Sequence, residues 1–408
     1  MKFLGYIFRN VRRNKLRSFL TIGSIASCGF LAMILLSIFS TSDDVRANLK
    51  QYNRVISMSS QGFAQSLPIA LRDEIVRIDK DKGIDGIVYR DNNNDGEGDT
   101  PIISPFSWYG GKYAEETSMT FAQFGVDPDT IFDLYVEYKL PPEQLEAFKQ
   151  TLDGVVIGRK LASDKKLKVG DKFPLKGVIY EFDMDLTVVG IYDGPEKSDL
   201  RTCYFNWNYL NEGLKSKAQG RGANNAGTIF FRCKNAAVVP TLCKAIDDSN
   251  RNSDRSTKTQ TEDAFAAMFS EMLKDLQTYI NMVGLAVAFS LVIICGVSMA
   301  MSLRERTNEV AVLRAIGFRK PQILFMVLAE SVLIAAIGGL IGTVGTKLLF
   351  DVVDISPFTM GFFPFFYVPW FVALVGLAVA VAVGLFSGVV PALRAASLPV
   401  IDGLRKVV

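Results

Sequence analysis

Four stretches of the chain are apolar for long enough to cross a bilayer, which takes about 20 residues of helix. They cover residues 19–40, 279–301, 324–350 and 370–390. Between the first and second lies a long polar block, residues 41–278, rich in charge, Gly, Asn and Asp and without any spanning run. A block of that length needs a water-soluble core of its own. Within it, residues 67–78 and 142–151 carry helical spacing, and 84–90 reads as a strand. Residues 153–193 read as strand, short helix, Gly turn, strand and strand, with β-branched residues over 186–191. Two helical stretches flank the block, 41–54 and 261–278, the second with Phe265, Phe269, Met272 and Leu276 at helical spacing. Both continue into spans, so movement of the spans is expected to reach the domain. The predicted fold class is an α-helical membrane protein with four transmembrane helices and a large α+β domain between helices 1 and 2.

Charge orients this arrangement. Residues 1–18 form an amphipathic pattern, with Phe3, Leu4, Ile7, Phe8 and Val11 on one stripe and Arg9, Arg12 and Arg13 off it, as in a helix lying in the membrane interface. Basic residues crowd this segment, the loop at 302–322 (Arg304, Arg306, Arg314, Arg319, Lys320) and the tail at 391–408 (Arg394, Arg405, Lys406). The loop between the last two spans has only Asp351 and Asp354. The positive-inside rule therefore places both termini and the 302–322 loop in the cytoplasm, and the polar block outside it. Residues 25–28 (Ile-Ala-Ser-Cys) resemble a lipoprotein cleavage site, but the apolar run continues past Cys28, which favours an uncut span.

Composition removes several chemistries. The chain has no histidine, which excludes Ser–His triads, HExxH zinc sites and His proton shuttles. The polar block carries a small acidic excess, which argues against nucleic acid. Of five cysteines, Cys28 and Cys295 lie in spans; Cys203, Cys233 and Cys243 lie in the polar block, where one bridge can form and one thiol is left over. Asp91, Asn93, Asp95 and Asp99 sit in a stretch matching the first half of a calcium loop. Ile102 stands where the bidentate Glu belongs, and Pro101 opposes a following helix. A solvated hairpin turn is the other reading, and the favoured one.

Span three carries Gly338, Gly342 and Thr346 four apart, and span four carries Gly376, Ala380, Gly384 and Gly388. Such stripes let helix backbones approach. One is expected to pack within the chain; the other is a candidate for a dimer contact. Glu330 lies near the cytoplasmic end of span three, where a charge is costly, and a bundle-facing structural role is favoured over ion transport. Between spans two and three, residues 304–316 read as a short helix of about four turns closed by Gly317. Val310, Leu313 and Ile316 form an apolar ridge on it, flanked by Glu309 and Arg314. Acidic residues on such a helix suit a protein partner better than lipid alone.

The chain resembles the MacB/FtsX-like permeases of ABC transporters, which include the lipoprotein-release permeases. The resemblance rests on RNVRRNKLRSFLTIGSIA (9–26), VVIGRKLASDKKLKVGD (155–171), LRERTNEVAVLRAIGFRKPQI (303–323), AESVLIAAIGGLIG (329–342) and GVVPALRAASLPVIDGLR (388–405). It implies four spans, a permease domain over 279–400, a dimer with a second permease copy or paralogue, and location in the bacterial inner membrane. It further implies a coupling helix that docks on a cytoplasmic ATP-binding subunit, through Arg304, Arg306, Glu309, Val310, Leu313, Arg314 and Gly317. The chain contains no GxxxxGK[ST] phosphate loop, so ATP and Mg are expected on that partner, and no cofactor or catalytic residue on this chain. The expected function is mechanotransmission: ATP hydrolysis moves the extracytoplasmic domain to export or extract a lipid, lipoprotein, peptide or drug, with a periplasmic adaptor protein as a further partner. The alternatives are an FtsX-like regulator that activates a cell-wall hydrolase and a membrane scaffold without an ATPase.

Overall fold

A computed structural model describes residues 15–62, 64–91, 98–180, 182–195, 198–218, 220–253, 255–272, 274–353 and 368–397. The expected amphipathic helix over 1–18 therefore lies outside the described residues except for its last four, and so does the tail beyond 397. The chain divides into two compact units: a globular unit within residues 42–271, and a helical unit from the residues before and after it.

In chain order the elements begin with α1 (Lys15–Leu49), a 3-10 turn (Lys50–Tyr52), β1 (Arg54–Ser59), β2 (Leu67–Pro68), α2 (Leu71–Asp81), β3 (Tyr89–Arg90) and β4 (Thr100–Pro101). There follow β5 (Ile103–Trp108), β6 (Lys112–Tyr113), β7 (Gln123–Val126), α3 (Ile131–Leu134), α4 (Pro142–Gln150), β8 (Gly154–Gly158), α5 (Arg159–Lys165), β9 (Lys172–Lys176) and β10 (Met184–Tyr192). Then come β11 (Cys203–Asn206), α6 (Trp207–Ser216), β12 (Asn225–Ala226), β13 (Thr228–Arg232), α7 (Val239–Asn250), β14 (Thr257–Thr261) and α8 (Glu262–Met272). The helical unit adds α9 (Lys274–Glu305), α10 (Thr307–Ala315), α11 (Lys320–Val352) and α12 (Trp370–Ser397).

The globular unit is organised by one ten-stranded mixed sheet in the order β14-β1-β13-β5-β7-β11-β8-β10-β9-β6. Its central strands are apolar on both faces, and the burial alternates accordingly. Val155 and Ile157 of β8 enter a core with Phe173, Leu186 and Val188, while Val156 enters another with Tyr192 and Tyr204. On β1, Val55 and Ile56 divide in the same way. A strand covered on both faces reads as a continuous apolar run, which is what residues 154–158 show.

Several boundaries differ from the sequence reading. The expected helix over 67–78 begins only at Leu71, because Leu67–Pro68 pairs with Asn225–Ala226. The expected strand over 84–90 is reduced to Tyr89–Arg90, with Ile87 bridged to Cys233. The helix leaving span one stops at Leu49, and Asn53 turns the chain in the left-handed region at φ 50° before β1. Thr261, expected in a helix, is the last residue of β14. All five cysteines are free. Cys203 lies in a different core from Cys233 and Cys243, and burial pushes the thiols of Cys233 and Cys243 up to about 12. The bridge weighed for this domain is not formed.

Among the described residues, three helices are long and apolar enough to cross a membrane by length and composition: 281–305 of α9, α11 and α12. α1 is 35 residues long, and the apolar stretch among its described residues is Ser18–Ile34, so the expected count of four is met for three among the described residues. Helix α1 runs unbroken through Cys28. α12 extends past the expected end of the last span, through Pro391 to Ser397.

The first residue of β1 closes a box of charge. Arg54 is fully buried, yet its Nη1 donates to both carboxylate oxygens of Glu137, at 2.8 and 2.9 Å, and its Nε donates to Glu262. The rings of Tyr52 and Tyr135 lie 4.5 and 4.3 Å from the guanidinium carbon, and the Tyr135 hydroxyl donates to Glu262 at 3.2 Å. β1 and β14 are adjacent strands, so this box ties the first residue of β1 to the first residue of α8. Burial raises the Glu262 carboxyl against the pull of Arg54. A carboxyl held higher in the folded than in the unfolded state favours folding fully below its unfolded pKa, and that contribution is lost as pH rises through the folded value. We expect the domain's melting midpoint in the intact chain to fall as pH rises above the ordinary Glu range, and Glu262→Gln to flatten that slope. Arg54→Met leaves buried carboxylates unpaired and is expected to cost about 3–5 kcal/mol, read by chemical denaturation.

Candidate functional site

The charged segment between α9 and α11 folds as an elbow and a short helix. α9 runs through Arg304 and Glu305, and the helix breaks at Arg306, whose backbone sits at φ −112° and ψ 14°. α10 then has nine residues, about two and a half turns, rather than the four expected over 304–316. Gly317 adopts φ +109°. This lets Phe318 N–H reach Leu313 O and Gly317 N–H reach Arg314 O, both at 3.1 Å, a Schellman closure that satisfies the last carbonyls. At the next helix start, Arg319 N–H donates to the Gln322 side chain at 2.8 Å, and Pro321 occupies the first turn of α11.

The break turns Arg306 inward. Its Nη1 donates to both oxygens of Glu330 at 3.0 Å, and both residues are buried. Val310 packs in the same direction, in a cluster with Ile323 and Val327 of α11 and Ala392 and Ala395 of α12. The extension of α12 beyond its expected span thus forms part of the platform beneath α10. Arg306 and Val310, two of the residues expected on the partner contact, face their own bundle. The expected ridge also divides. Ile316 is exposed and Leu313 half-buried, and Val312, one turn before Ile316, joins it on the outer face. Arg304, Asn308 and Gly317 are exposed as well, while Glu309 and Arg314 lie at the margin. Outward Val312 was not singled out from sequence because helical spacing identifies stripes without saying which one the bundle covers. The Arg306–Glu330 pairing left one signal, the requirement that an intramembrane carboxylate find a cation.

The small-residue stripes seat helices within the chain. A Cβ on Gly338 would lie 2.9 Å from Ile25, and one on Gly342 would lie 2.5 Å from the Ala26 carbonyl. These glycines bring α1 against α11. On α12, a Cβ at Gly376 would meet Thr343 and Met33, at Gly384 it would meet Ala335, and at Gly388 it would meet Ser331; Ala380 fills the space beside Gly339. The Ser331 hydroxyl donates to the Gly384 carbonyl. Both stripes are thus engaged internally, including the one weighed for a dimer contact.

At the weighed calcium loop, Asn93 and Asp95 lie outside the described residues. Asp91 and Asp99 flank the ends of a two-stranded ribbon, β3 with β4, and Asp99 N–H donates to Arg90 O at 2.9 Å. A strand stands where a calcium loop continues into helix, and Ile102, at the twelfth position, is buried in the core.

Removing either partner of the buried pair strands the other. Arg306→Met and Glu330→Leu are each expected to cost about 3–5 kcal/mol, with the double variant recovering most of the loss because two buried charges leave together. Half-life in mild detergent at fixed temperature reads the difference. Gly342→Ala drives a methyl into the Ala26 backbone and is expected to destabilise by about 1–3 kcal/mol. Gly345→Ala, which meets nothing within 4 Å, is expected to be neutral or to gain up to about 1 kcal/mol of helix propensity.

Residues 281–400 match the family described as FtsX-like permease C-terminal. The chain is 25% identical over 422 residues to the uncharacterized ABC transporter permease MJ1507 of Methanocaldococcus jannaschii, covering 98% of this chain and 97% of that protein. It is 38% identical over 115 residues to the macrolide export ATP-binding/permease protein MacB of Nitrobacter winogradskyi, over 26% of this chain and 16% of that one. Among solved structures, the extracellular domain of the noncanonic ABC-type transporter YknZ from Gram-positive bacteria is covered whole by 51% of this chain, at 13% identity and a TM-score of 0.34. With an FtsX-like permease domain at residues 281–400 and ABC transporter permeases, MacB among them, as its relatives, the chain is similar to the MacB/FtsX-like permeases of ABC transporters.

Proposed function

We propose that this permease is the non-catalytic membrane subunit of its transporter. A separate cytoplasmic subunit binds ATP and Mg, and α10 receives the motion that hydrolysis generates. One observation carries the reading: α10 is bound to its bundle through Arg306 and Val310 on one side and presents Val312 and Ile316 on the other. A short helix tied to two long ones moves them when it is pushed. The basic residues around it support a cytoplasmic position for this segment by the positive-inside rule, and residues 42–271 are read as extracytoplasmic. α1 is the fourth span in this reading, supported by its seating on Gly338 and Gly342 of α11. In this reading the permease pairs with a second copy or paralogue, and the cargo class is a lipid, lipoprotein, peptide or drug; the MacB relative is named for macrolide export.

The test is purification of the tagged chain in mild detergent. A stoichiometric ATP-binding subunit is expected to accompany it. Ile316→Glu places a charge in the proposed contact, and loss of one buried anchor of about 2 kcal/mol weakens association roughly 30-fold. Glu309→Lys is expected to weaken it as well. Retention of the subunit and of coupled ATP turnover by both variants would refute α10 as the receiving element.

A further inference from the structure

Lys347 lies near the C-terminal end of α11, inside a helix long and apolar enough to cross a membrane. A lysine near the end of a span ordinarily extends its ammonium to water. This one is held in: its side chain is only 12% exposed. Nζ donates to the Asp351 carboxylate, one turn further along α11, and stands 5.5 Å from the centre of the Trp370 ring at the start of α12. Asp351 itself is exposed, and so are the adjoining Val352, Trp370 and Phe371. Both charges keep bonding capacity. An ammonium has three donors, and a carboxylate has about four acceptor sites. The Lys347–Asp351 bond uses one of each, and neither side chain makes another hydrogen bond among the described residues. A desolvated ammonium with donors to spare is costly unless acceptors meet it.

We propose that Lys347, Asp351 and Trp370 form a binding site for the headgroup of a zwitterionic phospholipid that carries a primary ammonium, as phosphatidylethanolamine does. The lipid phosphate accepts from the remaining Lys347 donors, and the lipid ammonium donates to Asp351. The acyl chains lie against the exposed apolar side chains of Val352 and Phe371. Charge complementarity selects this occupant. A bare anion at Lys347 would also face the Asp351 carboxylate, and like charges at that range repel. A headgroup with both signs matches the fixed pair. A choline headgroup carries the same charges but has no N–H to give the carboxylate. The site is built from α11 and α12 alone and does not rest on the coupling reading.

The test is native mass spectrometry of the full chain released from detergent micelles. The chain is titrated with phosphatidylethanolamine, phosphatidylcholine and phosphatidylglycerol of identical acyl chains. Phosphatidylethanolamine is expected to bind about tenfold more tightly than either competitor, the effect of one additional charge-assisted hydrogen bond. Lys347→Met and Asp351→Asn are each expected to abolish that preference. Asp351 is exposed, so Asp351→Asn keeps the test open should Lys347→Met fail to fold. Inorganic phosphate in excess is expected to leave the lipid in place; displacement would show an ion site and overturn the assignment to lipid. Equal affinity of the wild type for all three lipids would overturn the proposal, since only an apolar surface would then be binding. So would a preference that survives in both folded variants. The readout involves no ATP turnover, so it fails independently of the coupling reading.

Discussion

A buried ion pair helps to join the short helix to the bundle. Glu330 lies in an apolar helix, where an unpaired carboxylate is prohibitively costly, and Arg306 reaches it only because the α9 helix breaks at that residue. The direction of α10, the burial of Val310 and the outward placement of Val312 and Ile316 all follow from the turn that delivers the guanidinium. The C-terminal extension of α12 completes the seat. Ala392 and Ala395 lie beyond Pro391, and their small side chains let Val310 approach the helix surface.

The globular unit solves a comparable problem in another way. Arg54 is desolvated at the start of β1, next to the edge strand β14, and is held by two carboxylates and two aromatic faces. Placed where β1 and β14 pair, it joins the elements next to both flanking helices. Each unit thus has a buried arginine held by carboxylate: Arg306 where a helix breaks, and Arg54 at the first residue of β1, just after the left-handed turn at Asn53. In both, the guanidinium's several donors and permanent charge suit it to bind more than one acceptor.

Much was legible in the pattern of apolar residues. Residues 279–301, 324–350 and 370–390 announce membrane helices through length and hydropathy, properties that depend on no tertiary partner. Residues 153–193 foretell strand, helix, turn and two strands because apolar runs and a left-handed glycine at 170 act locally. The failures cluster where partners decide. Leu67–Pro68 is a strand because Asn225–Ala226 lies beside it, more than 150 residues away in the chain. Thr261 is a strand residue because β1 pairs with it, although the residues that follow have helical spacing.

The candidate site divides along the same line. The sequence by itself determined that a short charged helix precedes Gly317, that Glu330 requires a partner, and that the stripes of small residues permit close helix approach. These follow from backbone conformation, desolvation and side-chain size, which each residue carries with it. Only the tertiary structure decided that Arg306 is that partner, that Val310 faces inward and Ile316 outward, and that both stripes are occupied within one chain. Those outcomes depend on how far the helix before Arg306 continues and on which surfaces meet. A period of 3.6 residues specifies which side chains share a face, but the bundle selects the face that is buried.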